Sequence, residues 1–318
     1  MRKTLLRPLA AVLAAAAVLS GLAACGADNS DPGTLTVGFV VDPSWAQIPV
    51  AQQAGYFGRH GVTVKVVNFA TGVEALQALT AGQLDIATAA DVPTSAALTR
   101  SPELRVVGDG SRWEGSRIVA RRSAGISTVA DLAGKSIGTP LGTSAAYYAS
   151  NALSHSAIDA NLVQVAPSAT LTAATQRNVD AVSIFQPYQA QVIAALGADA
   201  VALGAGTYTQ HSLYLASGNA VTQKAEALKN FFAALNDAGA QLKSGADEAV
   251  AAVAAATQLA PDLIRKILAE FDFTLQLKPD LAGVLTALGA WAKEQGKIDR
   301  AAQLPDYSTF LASGHVPS

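Results

Sequence analysis

The sequence predicts an α/β protein of two lobes, each built on a largely parallel sheet, with a hinge between them. Three observations predict it. Strand-like and helix-like segments alternate over the first two thirds of the chain. Their order runs once and then repeats about 100 residues later. After residue 223 the pattern turns almost entirely helical.

Residues 34–41, TLTVGFVV, form a short apolar run of the kind buried in a parallel sheet. Residues 62–69, VTVKVVNF, alternate and make the second strand. Val73, Leu76 and Leu79 recur every three residues, as on one helix face, and Gly82 stops that helix. Residues 84–87, LDIA, are the third strand. The second set of strands is 135–139, 162–167 and 179–182, with 170–177 as the helix before the last. Asp85 and Asp180 start the two third strands and read as structural. Residues 211–216 add one more strand. Helices follow at 225–242, 246–259, 261–270 and 281–295, and Pro261 suits a first turn. They are expected to pack on the first lobe. Residues 34–113 with 211–318 then make lobe I, and 114–210 make lobe II, inserted through two crossing segments. In such sheets ligands bind beyond the carboxyl ends of the strands, so two facing lobes make a cleft.

The first residues point outside the cytoplasm. Arg2, Lys3 and Arg7 precede residues 9–19, eleven residues of Leu, Ala and Val. That run is too short to span a membrane and fits the core of a secretory signal, residues 1–24. It ends Leu22-Ala23-Ala24-Cys25, which resembles the lipobox of bacterial lipoproteins. The resemblance implies that Cys25 becomes a lipidated N-terminus anchored to the outer face of the cytoplasmic membrane. The alternative is an ordinary small residue at the end of a signal peptide. Cys25 is the sole cysteine of 318 residues, so no intramolecular disulfide is possible. Residues 25–33 are then a small, polar tether. Three of the 22 basic residues and no acid lie in the signal, leaving 19 basic against 24 acidic residues. No basic block with interleaved aromatics occurs, which argues against nucleic acid as a partner.

Several segments resemble, in order, the solute-binding proteins of ATP-driven sulfonate, taurine and nitrate importers. They are residues 54–62 (AGYFGRHGV), 78–85 (ALTAGQLD), 131–138 (DLAGKSIG), 142–144 (GTS), and 179–181 (VDA) followed by 185–188 (FQPY). Each is weak alone; the ordered set is specific. The resemblance implies a type II periplasmic-binding-protein fold with its ligand between the lobes. It also implies a membrane permease and its ATPase as partners, and a monomer without cofactor or metal. Pyrimidine-precursor binders share this superfamily.

Gly142, Thr143 and Ser144 are the leading anchor candidates. They follow a strand and open a helix-like run, where free N–H groups and hydroxyls would receive a sulfonate, nitrate or carboxylate. Ser144 as a plain helix cap is the alternative. Of Tyr147 and Tyr148, one should face the cleft, with Tyr147 taken as the contact. Gln186 stands where the family usually has an acid, and an amide can donate to an anion. Tyr188 follows as a contact or as core. Asp42, Ser44 and Trp45 follow the first strand. Asp42 would pair with a ligand amine or cap the next helix, and Trp45 would line the pocket or pack inside. Ala90 and Asp91 end the third strand, with Asp91 again a possible cap. Trp113 sits by a proposed crossing.

The expected function is capture of a small anion, an aliphatic sulfonate or taurine, for import. A nitrate-type anion or a pyrimidine is the alternative. An enzyme and a sensor domain are the rivals. No cluster of metal-ligating residues, nucleophile elbow or phosphate loop is present. A cysteine-rich motif, as in the fungal-type pyrimidine synthases of this fold, is impossible with one cysteine. No DNA-binding or inward-leading segment supports a sensor.

Overall fold

The computed structural model describes residues 31–204 and 208–317. The expected signal, Cys25 and most of the tether lie outside the described residues. Pro32–Ser318 is one compact unit.

Its path begins with β1 (Thr34–Val40), α1 (Gln47–Gln53), α2 (Tyr56–Arg59), β2 (Thr63–Phe69), α3 (Gly72–Thr80), β3 (Ile86–Ala90), α4 (Asp91–Leu98) and β4 (Arg105–Trp113). A second set follows: β5 (Ile118–Arg121), β6 (Ser136–Thr139), α5 (Ser144–His155), β7 (Asn161–Gln164), α6 (Thr170–Thr175), β8 (Ala181–Ser183), α7 (Tyr188–Leu196) and β9 (Ala200–Leu203). The chain returns through β10 (Gln210–Ala216), α8 (Gly218–Gln223), α9 (Ala225–Ser244), α10 (Asp247–Thr257), α11 (Pro261–Leu268), β11 (Phe271–Asp272) and α12 (Leu281–Glu294).

Two sheets result, in the orders β11-β4-β10-β3-β1-β2 and β7-β6-β8-β5-β9. Each holds the expected parallel triplet, β2-β1-β3 and β7-β6-β8. The sheets are mixed rather than largely parallel. β10 runs antiparallel to β3 and β4, and β5 runs antiparallel to β8 and β9. The reason is connectivity. A strand that arrives from the other lobe enters at the end where the parallel strands finish, so it must run against them.

The two sets share details as well as order. Asp85 Oδ2 accepts the Thr36 N–H at 2.8 Å, and Asp180 Oδ2 accepts the Ser136 N–H at 2.8 Å. In each case the aspartate N–H donates back to that residue's carbonyl. Both aspartates therefore clamp the start of a first strand, as expected. In lobe I, Lys224 Nζ joins Asp85 at 2.9 Å. Gly38 and Gly138 hold matching places. A Cβ on Gly38 would meet Leu84 at 2.5 Å, and one on Gly138 would meet Val165 at 2.9 Å.

Lobe I carries the larger core. In α9 the buried positions Ala227, Leu228, Phe231, Phe232, Leu235, Ala238 and Leu242 recur at three and four residues, one continuous face. The helix ends at Gly245 in the left-handed conformation, as a C-terminal glycine does. That face packs on α1 and α2, while α12 packs on α4. Lobe II is a three-layer sandwich. Successive β5 residues feed opposite layers, Ile118 with Tyr148 and Leu153, and Val119 with Val182 and Val192.

Candidate ligand-binding site

Three helices start at the same place. Gly72 opens α3, Ala90 immediately precedes α4, and Thr143 and Ser144 open α5. All four residues line one cavity of about 20 Å³, together with Asp42, Trp45, Phe185 and Gln210. A helix start presents unpaired N–H groups and a partial positive charge. Here lobe I supplies two such starts and lobe II the third. Gly72 lets α3 begin so close: a Cβ there would sit 2.9 Å from the Cα of Ala89.

The caps differ from expectation. Ser144 is the first residue of α5, not its cap, and no side chain caps that helix. Thr143 Oγ1 instead donates to the Pro140 carbonyl at 2.6 Å. Asp91 is likewise the first residue of α4 rather than its N-cap. Its carboxylate accepts the Val92 N–H at 2.8 Å, the Tyr208 hydroxyl and the His211 N–H. Asp42 caps a short 3-10 turn, Pro43–Trp45, and α1 starts only at Gln47.

Asp42 and Asp91 are both buried, and burial pushes their pKa values up, to about 7 and about 6. Burial works against a charged His211 ring, yet the Asp109 carboxylate, 2.9 Å away, holds its pKa above the usual value. The sign for stability follows. Between about pH 4 and pH 7 the folded chain holds protons that the unfolded chain gives up. Stability without ligand therefore falls as pH rises across that window. Asp42→Asn should flatten the slope, read as urea midpoint against pH; an unchanged slope would show that Asp42 is ionised throughout.

Other expected contacts lie elsewhere. Gly142 lines a neighbouring groove of about 700 Å³ with Leu141, Leu76, Ala97, Arg100 and Lys297. Pro93 lines both spaces. Gln186 is buried outside the cavity wall, its amide donating to Glu270 at 3.2 Å and accepting from the Ala190 N–H. Trp113 is core: it stacks on Phe271 and donates to Glu270 at 2.9 Å. Tyr188 packs edge-on to Phe185, close enough for Asp42 to raise its pKa beyond the effect of burial. Trp45 both lines the cavity and ties its indole N–H to the Leu213 carbonyl at 3.2 Å. Ser44 donates its hydroxyl to Asp42 at 2.7 Å. Of the paired tyrosines, Tyr148 is buried in the lobe II core. Tyr147 lies at the seam between lobes, its ring edge-on to Tyr208 and Trp291 at 4.9 and 5.1 Å.

Sequence reasoning missed Val40, Gly72, Pro93, Phe185 and Gln210 in the cavity wall. Gly72 was within reach, because it follows the carboxyl end of β2. Gln210 had no local signal; a long return path brings it there. Among the described residues no group of three or more His, Cys, Asp or Glu can hold a metal, and no helix is long and apolar enough to cross a membrane.

Residues 42–249, well over half of the chain, match the family model described as NMT1/THI5 like. The chain belongs to the NMT1/THI5-like family. Relatives include a protein named as a binding protein in Brucella abortus, 27% identical over 64% of this chain and 65% of that relative. The match thus spans just under two thirds of that relative. A protein of Escherichia coli K12 named as an aliphatic sulfonates-binding protein is 26% identical over 59% of this chain and 60% of its own. The crystal structure of the periplasmic aliphatic sulphonate binding protein SsuA from Escherichia coli superposes with a TM-score of 0.76 at 21% identity, covering 88% of this chain and 97% of that one. That likeness shows the two-lobed periplasmic-binding-protein fold. The desulfurization enzyme DszB has the same fold, with a TM-score of 0.63 at 15% identity, covering 89% of this chain and 97% of that one.

Proposed function

We propose that the chain is the extracytoplasmic, lipid-anchored solute-binding component of an ATP-driven importer, and that it binds a small anion, an aliphatic sulfonate or taurine, between its lobes. The observation that carries this is the convergence of three helix starts from both lobes on one cavity. An anion there accepts N–H groups from lobe I and lobe II at once, which favours the closed arrangement. The contacts would come from Gly72, Ala90, Thr143 and Ser144. Cys25 would hold the anchor, and residues 114–210 would move as lobe II. A cavity of about 20 Å³ has room for one water, so entry requires the lobes to part on the side of the groove that shares Pro93. The reading is of a binder rather than an enzyme, in line with the relatives named as binding proteins.

A panel of taurine, alkanesulfonates, nitrate and pyrimidines in thermal unfolding tests this. Ligand at 100 times its dissociation constant adds about 2.7 kcal/mol, worth roughly 5 °C in a chain of this size. Sulfonates should give that shift. A pyrimidine is the second reading, and a shift with pyrimidines alone would overturn the anion.

A further inference from the structure

The cavity wall holds acceptors as well as helix starts. Asp42 is 3% exposed and Gln210 is 2% exposed, and both line the cavity. Asp42 Oδ1 is occupied, taking the Ser44 N–H at 2.8 Å and the Ser44 hydroxyl at 2.7 Å. The Gln210 amide nitrogen points to Ser44 Oγ at 3.5 Å, which leaves Oε1 as the free end of the side chain. That oxygen is buried and has no partner among the described residues. Among the described residues no Lys, Arg or His lines the cavity, so none of their basic side chains complements Asp42 there.

A buried acceptor without a donor costs free energy, and a buried carboxylate without a cation costs more. An unpartnered amide oxygen and a buried carboxyl in one cavity wall make sense when the donor arrives with the solute. An ammonium group brings three donors and a positive charge, enough for both oxygens. A plain alkanesulfonate or nitrate brings none.

We propose that Asp42 and Gln210 form an ammonium-recognising wall in the cavity that the helix starts also line, so that the cleft selects a short zwitterion, an aminoalkanesulfonate, over the same sulfonate without its amine. This rests on the anion reading of the three helix starts. The Ser44 hydroxyl and N–H hold Asp42 in place, and Tyr188 packs nearby on α7. The upward-shifted Asp42 carboxyl fits this arrangement, since the bound ammonium would draw it back to the ionised form.

Titration calorimetry with 2-aminoethanesulfonate and ethanesulfonate tests it, because the two probes differ only by the amine. The protein should bind 2-aminoethanesulfonate roughly 100-fold more tightly, as expected for two charge-assisted hydrogen bonds. Asp42→Asn should shrink the preference to about threefold, and Gln210→Met should reduce it by roughly tenfold. In the unaltered protein the preference should grow from about pH 5 to about pH 8 as Asp42 ionises, a readout that needs no variant to fold. Equal affinity for the two probes would overturn the ammonium wall and leave the anion site standing. Failure of both probes to bind would overturn the anion reading and this proposal with it.

Discussion

Phe231→Ala should lower the free energy of unfolding by about 3–5 kcal/mol, the usual cost of removing a buried phenyl ring. Phe231 is fully buried where α9 meets the first sheet. Its ring stacks on Phe57 at 5.5 Å and meets Tyr214 and Phe232 edge-on at 5.9 and 5.3 Å. One deletion removes three aromatic contacts and leaves a cavity that the neighbours cannot fill, because Phe232 is already pressed against Gly108. Chemical denaturation measures the effect. A loss below about 1 kcal/mol would mean that α9 does not anchor this core.

Ala90→Leu should abolish capture of the solute. Ala90 ends β3, immediately precedes α4 and lines the cavity. Three added carbons would fill a space of about 20 Å³. Overpacking costs about 1–3 kcal/mol, which a chain of this size can tolerate. Affinity for 2-aminoethanesulfonate should fall by at least about 100-fold, or about 2.7 kcal/mol. Calorimetry at a temperature where circular dichroism shows an intact fold decides it. Unchanged affinity would place the site elsewhere, the groove beside Gly142 being next to test.

The site was partly legible before any coordinates. Thr143, Ser144 and Ala90 were picked because they follow strand ends and open helices, and all three line the cavity. Asp42 and Trp45 were found by the same rule. Gln186 and Trp113 were not distinguishable from contacts in sequence, since each follows a strand beside a crossing. Glu270, far along the chain, takes both of their donors. Gly142 belongs to the groove because the backbone turns at φ +83°, so that Thr143 rather than Gly142 enters the cleft.

By itself the sequence determined the two lobes and their repeated order, because strand and helix periods and glycine stops are local. The four helices after residue 223 were legible for the same reason, and each lies within three residues of its expected ends. Tertiary structure decided what depends on distant segments meeting. It set β10 and β5 antiparallel to their neighbours, sent Tyr148 inward and Tyr147 to the seam, and brought Gln210 to the cavity that Asp42 lines. Burial then did the chemistry that composition cannot show. A carboxyl that would be an ordinary acid in water is held toward its protonated form when enclosed, as Asp42 is.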